Sequence, residues 1–136
     1  MENTNTAVAS VVDMKKLTAM VHTVATESGV YINWKETVLI PESSAGLIGV
    51  SFHTPANNTS DTLLAFTTLI FKGMVMTGFS LRELTSKKGT KWTALMAPSR
   101  SYKDAKGVTQ YSTLTGFTKS LGDRITDEVV AAFSNR

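Results

Sequence analysis

The chain contains no cysteine. Disulfides, thiolate zinc sites, iron–sulfur clusters and thiol catalysis are therefore excluded. Histidine is nearly as scarce: only His22 and His53 occur, in no metal-ligand spacing such as HxxxH. No serine lies in a GxSxG elbow, and the glycines match neither a Walker loop nor a GxGxxG turn. The reading is a non-enzymatic protein with no implied cofactor or metal. No segment reaches the roughly 18 apolar residues that a membrane-spanning helix needs. The start, Met1-Glu2-Asn3-Thr4-Asn5, lacks the basic and apolar regions of a secretion signal. These two absences predict a cytoplasmic protein with no membrane partner. The sequons in Asn57-Asn58-Thr59-Ser60 then carry little meaning.

What remains is ordinary globular material. The 136 residues and 14.7 kDa suit one domain with a real core. Hydrophobic residues make up 42% and charged residues 18%, unlike the composition of disordered chains. Residues 1–12 are polar, then small and apolar, and read as a frayed end or a short edge strand. Asp13 is a candidate helix cap. Met14, Leu17, Val21 and Val24 then step by three and four, predicting a helix over 14–28 that stops at Gly29.

Val30–Ile40 alternates, with Val30, Ile32, Trp34, Val38 and Ile40 on one face, and predicts a half-buried strand ended by Pro41. Glu36 interrupts that face; an edge position or a paired carboxylate explains it better than a general acid. After a loop at 42–46, Leu47–His53 reads as a strand. A polar loop at 54–61 leads to the continuous apolar and β-branched run Leu63–Phe71, suited to a central strand. Lys72-Gly73 punctuates it, and Met74–Leu84 continues as a strand. Ser86-Lys87-Lys88-Gly89 is a hairpin turn, with Thr90–Met96 returning. Ala97-Pro98-Ser99 ends the sheet, and 99–110 reads as a polar, basic loop. Tyr111–Phe117 reads as a short strand or irregular chain. Leu121, Ile125, Val129 and Phe133 mark a C-terminal helix, capped by Ser120 or Asp123.

The predicted class is α+β: an antiparallel sheet of four to six strands between an N-terminal and a C-terminal helix. Residues 1–136 form a single domain, in which 1–46 add a helix and a strand to the part at 47–136.

Charge is the feature that points to a function. The net is only +3. Residues 1–71 hold three lysines against six carboxylates, and residues 120–136 hold two arginines against three. Residues 72–119 hold nine cations against only Glu83 and Asp104. Such a block inside a nearly neutral chain predicts a polyanionic partner, nucleic acid above all, with single-stranded DNA favoured and RNA open. The candidate contacts are Arg82, Lys87, Lys88, Lys91, Ser99, Arg100, Lys103, Lys106 and Lys119, with Tyr102 and Tyr111 as rings that stack on bases. Phe79, Trp92 and Phe117 read as core, and Met74 and Met76 as core strand. The bland reading of Lys87-Lys88 is a solvated tip that protects the sheet from edge pairing. The alternative function is an assembly module whose sheet edge pairs with an acidic partner.

The segment from Leu47 to Phe133 resembles the stage V sporulation protein G (SpoVG) family of small bacterial DNA- and RNA-binding regulators. The residues that carry the resemblance are the two long strands, the strand ending in Met96-Ala97-Pro98-Ser99-Arg100, the loop Lys103-Asp104-Ala105-Lys106-Gly107, and the helix with Ile125 and Val129. Ala97 is an insertion in the family's Met-Pro-Ser-basic pattern, and a usual proline is missing at Ser112-Thr113-Leu114. The resemblance implies a small sheet with a C-terminal helix, dimerisation through strands, and nucleic acid held by basic residues near the loop. Ser99, Arg100 and Lys103 match those positions, and Arg124 lies near the family's helix-start basic residue. A homo-oligomer is expected on this basis.

Overall fold

A computed structural model describes residues 2–58, 60–113 and 116–136, with side chains from Met14 onward apart from that of residue 113. Thr59 of the sequons, and Leu114 and Thr115 of the segment read as Tyr111–Phe117, lie outside the described residues.

Helix α1 runs Glu2–Ser28. It therefore begins well before the expected 14–28, and Asp13 is an interior residue rather than its cap. No glycine or proline interrupts 2–13, so helix propagates through it although the apolar periodicity starts only at Met14. Gly29 does end the helix. At φ +70° it donates its N–H to Thr26 O, and Val30 N–H reaches back to Ala25 O at 3.0 Å. This pair of bonds is the Schellman closure of a helix C-terminus.

The expected strand Val30–Ile40 is mostly absent. A single 3-10 turn at Trp34–Glu36 precedes a short β1, Thr37–Leu39. Asn33 causes this. Its side chain accepts Lys35 N–H at 3.0 Å, and its carbonyl accepts Glu36 N–H and the Thr37 hydroxyl. An Asx turn has outcompeted the extended chain that alternation predicted.

The strands β2 (Leu47–His53) and β3 (Leu63–Phe71) follow as expected, while β4 (Val75–Thr85) is shifted by one residue and β5 (Lys91–Met96) starts one residue late. With β1 they form a five-stranded antiparallel sheet in sequential order, β1-β2-β3-β4-β5, with β3 at its centre. Met74 lies just before β4 and is 49% exposed, so it is a turn residue and not core.

The segment 99–110 is not a loop. Ser99–Lys103 is strand β6, and it pairs with β7 (Thr109–Thr113) as a separate two-stranded sheet. Helix α2 (Lys119–Ser134) closes the chain. Thr118 caps it by accepting Leu121 N–H, in place of Ser120 or Asp123.

Each face of the main sheet carries one helix. Leu17, Val21 and Val24 of α1 pack on Ile48 and Ile70. Gly49 permits the approach, since a Cβ there would lie 3.3 Å from Val21 Cγ2. On the other face Ile125, Val129 and Ala132 of α2 pack on Val50, Phe52, Leu69, Phe79 and Leu81. Polar contacts lock α2 to the β1–β2 loop. The Glu128 carboxylate accepts the Ser43 hydroxyl and the Ser44 N–H, and Arg124 Nη1 donates to Ser44 O at 2.9 Å. Among the described residues no helix is long and apolar enough to cross a membrane.

Candidate nucleic-acid interface

The β6–β7 ribbon carries most of the expected contacts. Every residue of β6 is exposed, including Arg100, Tyr102 and Lys103. Its tip is built by Asp104. The carboxylate accepts the N–H groups of Lys106 at 2.8 Å and Val108 at 3.0 Å, while Gly107 takes φ +79° and donates to Asp104 O. The Val108 N–H, with the bonds from Lys106 and the Gln110 side chain, holds the Asp104 carboxyl below the usual carboxylate range. Asp104 is thus committed to the turn, and the neighbouring cations are left for an external anion.

Register decides which side each residue faces. Arg100 pairs with Ser112 and Tyr102 with Gln110, so these four share one face. Ser101 pairs with Tyr111 and Lys103 with Thr109, which places those four on the other. Each face of the ribbon therefore shows one tyrosine and one cation. Tyr102 is 51% exposed and Tyr111 73%. Ser99 starts β6 at the ribbon's base, and Lys106 stands in the tip.

The remaining candidates divide. Lys87 and Lys88 occupy the β4–β5 turn, closed by Ser86 N–H to Thr90 O and Gly89 N–H to Ser86 O. Lys91 lies 3.8 Å from Glu83, an exposed pair of small energetic value. Lys119 is engaged by Asp123 at 2.9 Å, and that hydrogen bond raises its pKa. It belongs to the first turn of α2 and not to the ribbon. Arg124, which by resemblance lies near but shifted from the family's helix-start basic residue, is turned toward Ser44.

Arg82 sits apart, on the α1 side of the sheet. Its Nε donates to Ser80 Oγ at 3.2 Å and its Nη1 to Thr62 Oγ1 at 2.9 Å. It has no carboxylate partner among the described residues. Trp92, read from sequence as core, lies on this same face and is 47% exposed. Phe66 and Met96 are exposed there as well. Sequence reasoning missed all three as surface residues. The alternation of Trp92, Ala94 and Met96 marked a common face, but nothing marked that face as open. Phe66 lies inside an apolar and β-branched run that carries no alternation to read.

Glu36, the interruption in the expected strand, is a paired carboxylate: its Oε2 meets His53 Nδ1 at 3.0 Å. Among the described residues no three histidines or carboxylates gather as a potential metal site.

Family models, curated proteins and solved structures yield no match to this chain. The SpoVG resemblance accordingly rests on the order of the elements and on the Met96–Arg100 and Lys103–Gly107 motifs.

Proposed function

We propose that this chain is a non-catalytic, cytoplasmic nucleic-acid-binding protein that holds single-stranded DNA or RNA on the β6–β7 ribbon. The observation that carries the reading is the ribbon itself, exposed along β6, with Arg100, Lys103 and Lys106 free of carboxylate partners among the described residues. Lysine and arginine supply sequence-independent attraction to phosphates. A tyrosine on each face supplies rings for unpaired bases, worth about 1–3 kcal/mol per stacked base. The Lys87-Lys88 turn adds a second cationic point. The SpoVG resemblance points the same way. A homo-oligomer belongs to this proposal through the SpoVG resemblance, with the β5 edge, unpaired among the described residues, as a surface available to it.

Binding to fluorescent single-stranded DNA, RNA and duplex, measured across salt, tests the reading. Arg100→Ala and Lys103→Ala should weaken all sequences about equally, because phosphate contacts carry no base information. Tyr102→Ala should weaken single-strand binding more than duplex binding. A two-stranded ribbon also fits a duplex major groove, so tighter duplex binding would overturn the single-strand preference. No binding to any of the three at low salt would overturn the function. In that case, capture of an acidic protein through the same lysines is the assembly reading.

A further inference from the structure

The ribbon is not the only aromatic and basic surface. Helix α1 covers the sheet face around Ile48, Ile70 and Val75. The half of that face toward the β4–β5 turn carries three large apolar side chains in the open: Phe66 at 45%, Trp92 at 47% and Met96 at 44% exposure. Register places them together. Phe66 pairs with Ser80 and Ser80 with Met96, making one row across three strands. Arg82 pairs with Ala94 in the next row, and Leu84 with Trp92 in the row beyond. The Arg82 backbone thus lies in the row between those of the two rings, and its guanidinium reaches to Thr62 Oγ1 on the β3 side. Strand spacing and rise separate the Phe66 and Trp92 backbones by about 16 Å.

We propose that this open half-sheet is a base-stacking platform for unpaired nucleotides, with Phe66 and Trp92 as the stacking rings and Arg82 as the phosphate contact between them. The proposal rests on the nucleic-acid reading of the ribbon and extends the bound strand beyond it. Several large apolar side chains exposed together on one sheet face mark an interaction site, unlike a single exposed ring. A base can cover such rings whatever its sequence.

Charge selects the occupant. Arg82 is held by neutral hydroxyls, with no carboxylate partner among the described residues, and these bonds set its orientation in advance. Lys87 and Lys88 stand at the turn beyond Trp92. Glu83 points to the opposite face by alternation, and Glu36 is engaged by His53. A second copy of the chain fits poorly. A two-fold contact centred on this face would bring Arg82 against its own equivalent and bury both without a carboxylate. The platform also has a physical link to the ribbon, since Met96 and Ser99, the first residue of β6, are separated only by Ala97-Pro98.

Trp92 emission gives a direct readout once Trp34, the other tryptophan, is changed by Trp34→Phe. Titrating this full-length variant with oligothymidylate should quench Trp92. Phe66→Ala and Trp92→Ala should each weaken oligothymidylate binding by about 5- to 150-fold, the span expected for one lost stack. Trp92→Phe, which keeps a ring, should stay within about threefold of the parent, and duplex affinity should move less than about twofold in every case. Unchanged thermal unfolding of each variant shows that the fold is retained. If the parent binds and Arg100→Ala weakens it, but Trp92 is not quenched and the ring variants bind normally, the platform is refuted and the ribbon reading stands. If the parent binds no nucleic acid, both fall. If the ring variants instead lower the molecular mass in solution without touching oligonucleotide affinity, the face is a contact between copies and the proposal is overturned.

Discussion

The slope of binding against salt offers a quantitative test of the ribbon. The perturbation is the triple change of Arg100, Lys103 and Lys106 to glutamine, which removes charge and keeps polar side chains of useful length. The ribbon should survive it. Its turn is built from the Asp104 carboxylate, backbone N–H groups and Gly107, none of which is altered. None of the three cations has a carboxylate partner among the described residues, so each is available to a phosphate. On a single strand each phosphate neutralised contributes about 0.7 to the slope of log K against log salt, so three contribute about 2. Between about 50 and 200 mM salt that difference amounts to roughly 16-fold. The parent should therefore lose about 16 times more affinity over this range than the triple variant. Fluorescence anisotropy with labelled oligothymidylate at four or five salt concentrations measures it. A variant that binds more weakly but keeps the parent's slope would refute the reasoning, because its cations would then act other than by releasing counterions.

The fold makes predictions of its own. Phe79 is 1% exposed and stacks against Phe117 at 5.9 Å, so Phe79→Ala should cost about 3–5 kcal/mol in urea unfolding. Gly78 sits at φ +87° in β4, and a Cβ there would lie 3.2 Å from Pro98 Cβ. Gly78→Ala should lower stability by at least about 1–2 kcal/mol from the backbone conformation alone, read by the same unfolding curve. The Asp104 pKa is depressed in the folded ribbon, so its contribution is present above the unfolded value and is lost as pH falls through the folded one. The protection of the Lys106 and Val108 amides, taken relative to their intrinsic exchange rates, should fall on acidification below about pH 4, and Asp104→Asn should remove that pH dependence.

Legibility followed the kind of information each segment holds. The strands Leu47–His53 and Leu63–Phe71 were read to the residue, because a polar loop bounds each run and the β-branched and aromatic content is dense. The β4–β5 hairpin was equally plain from Ser86-Lys87-Lys88-Gly89. The segment 30–36 misled, because alternation describes side chains and is blind to the Asn33 bonds that coil the backbone. The 99–110 segment misled in the opposite sense. Polar composition resembles a loop, but Asp104 and Gly107 form a turn whose flanks pair without any apolar face to announce them.

The amino-acid sequence by itself determined the α+β class, the central strands, the C-terminal helix and the concentration of cations in residues 72–119. These are local or additive properties: propensity, periodicity and charge sum along the chain. Only the tertiary structure decided which cations remain free, which rings face water, and which helix covers which half of the sheet. Those depend on strand register and on where α1 stops covering, and both are settled by contacts between residues far apart in sequence. Trp92 shows the difference most clearly. Its place on a strand face was legible in the alternation of β5, while its exposure follows from a helix about 65 residues earlier that packs over Ile70 and not over Trp92.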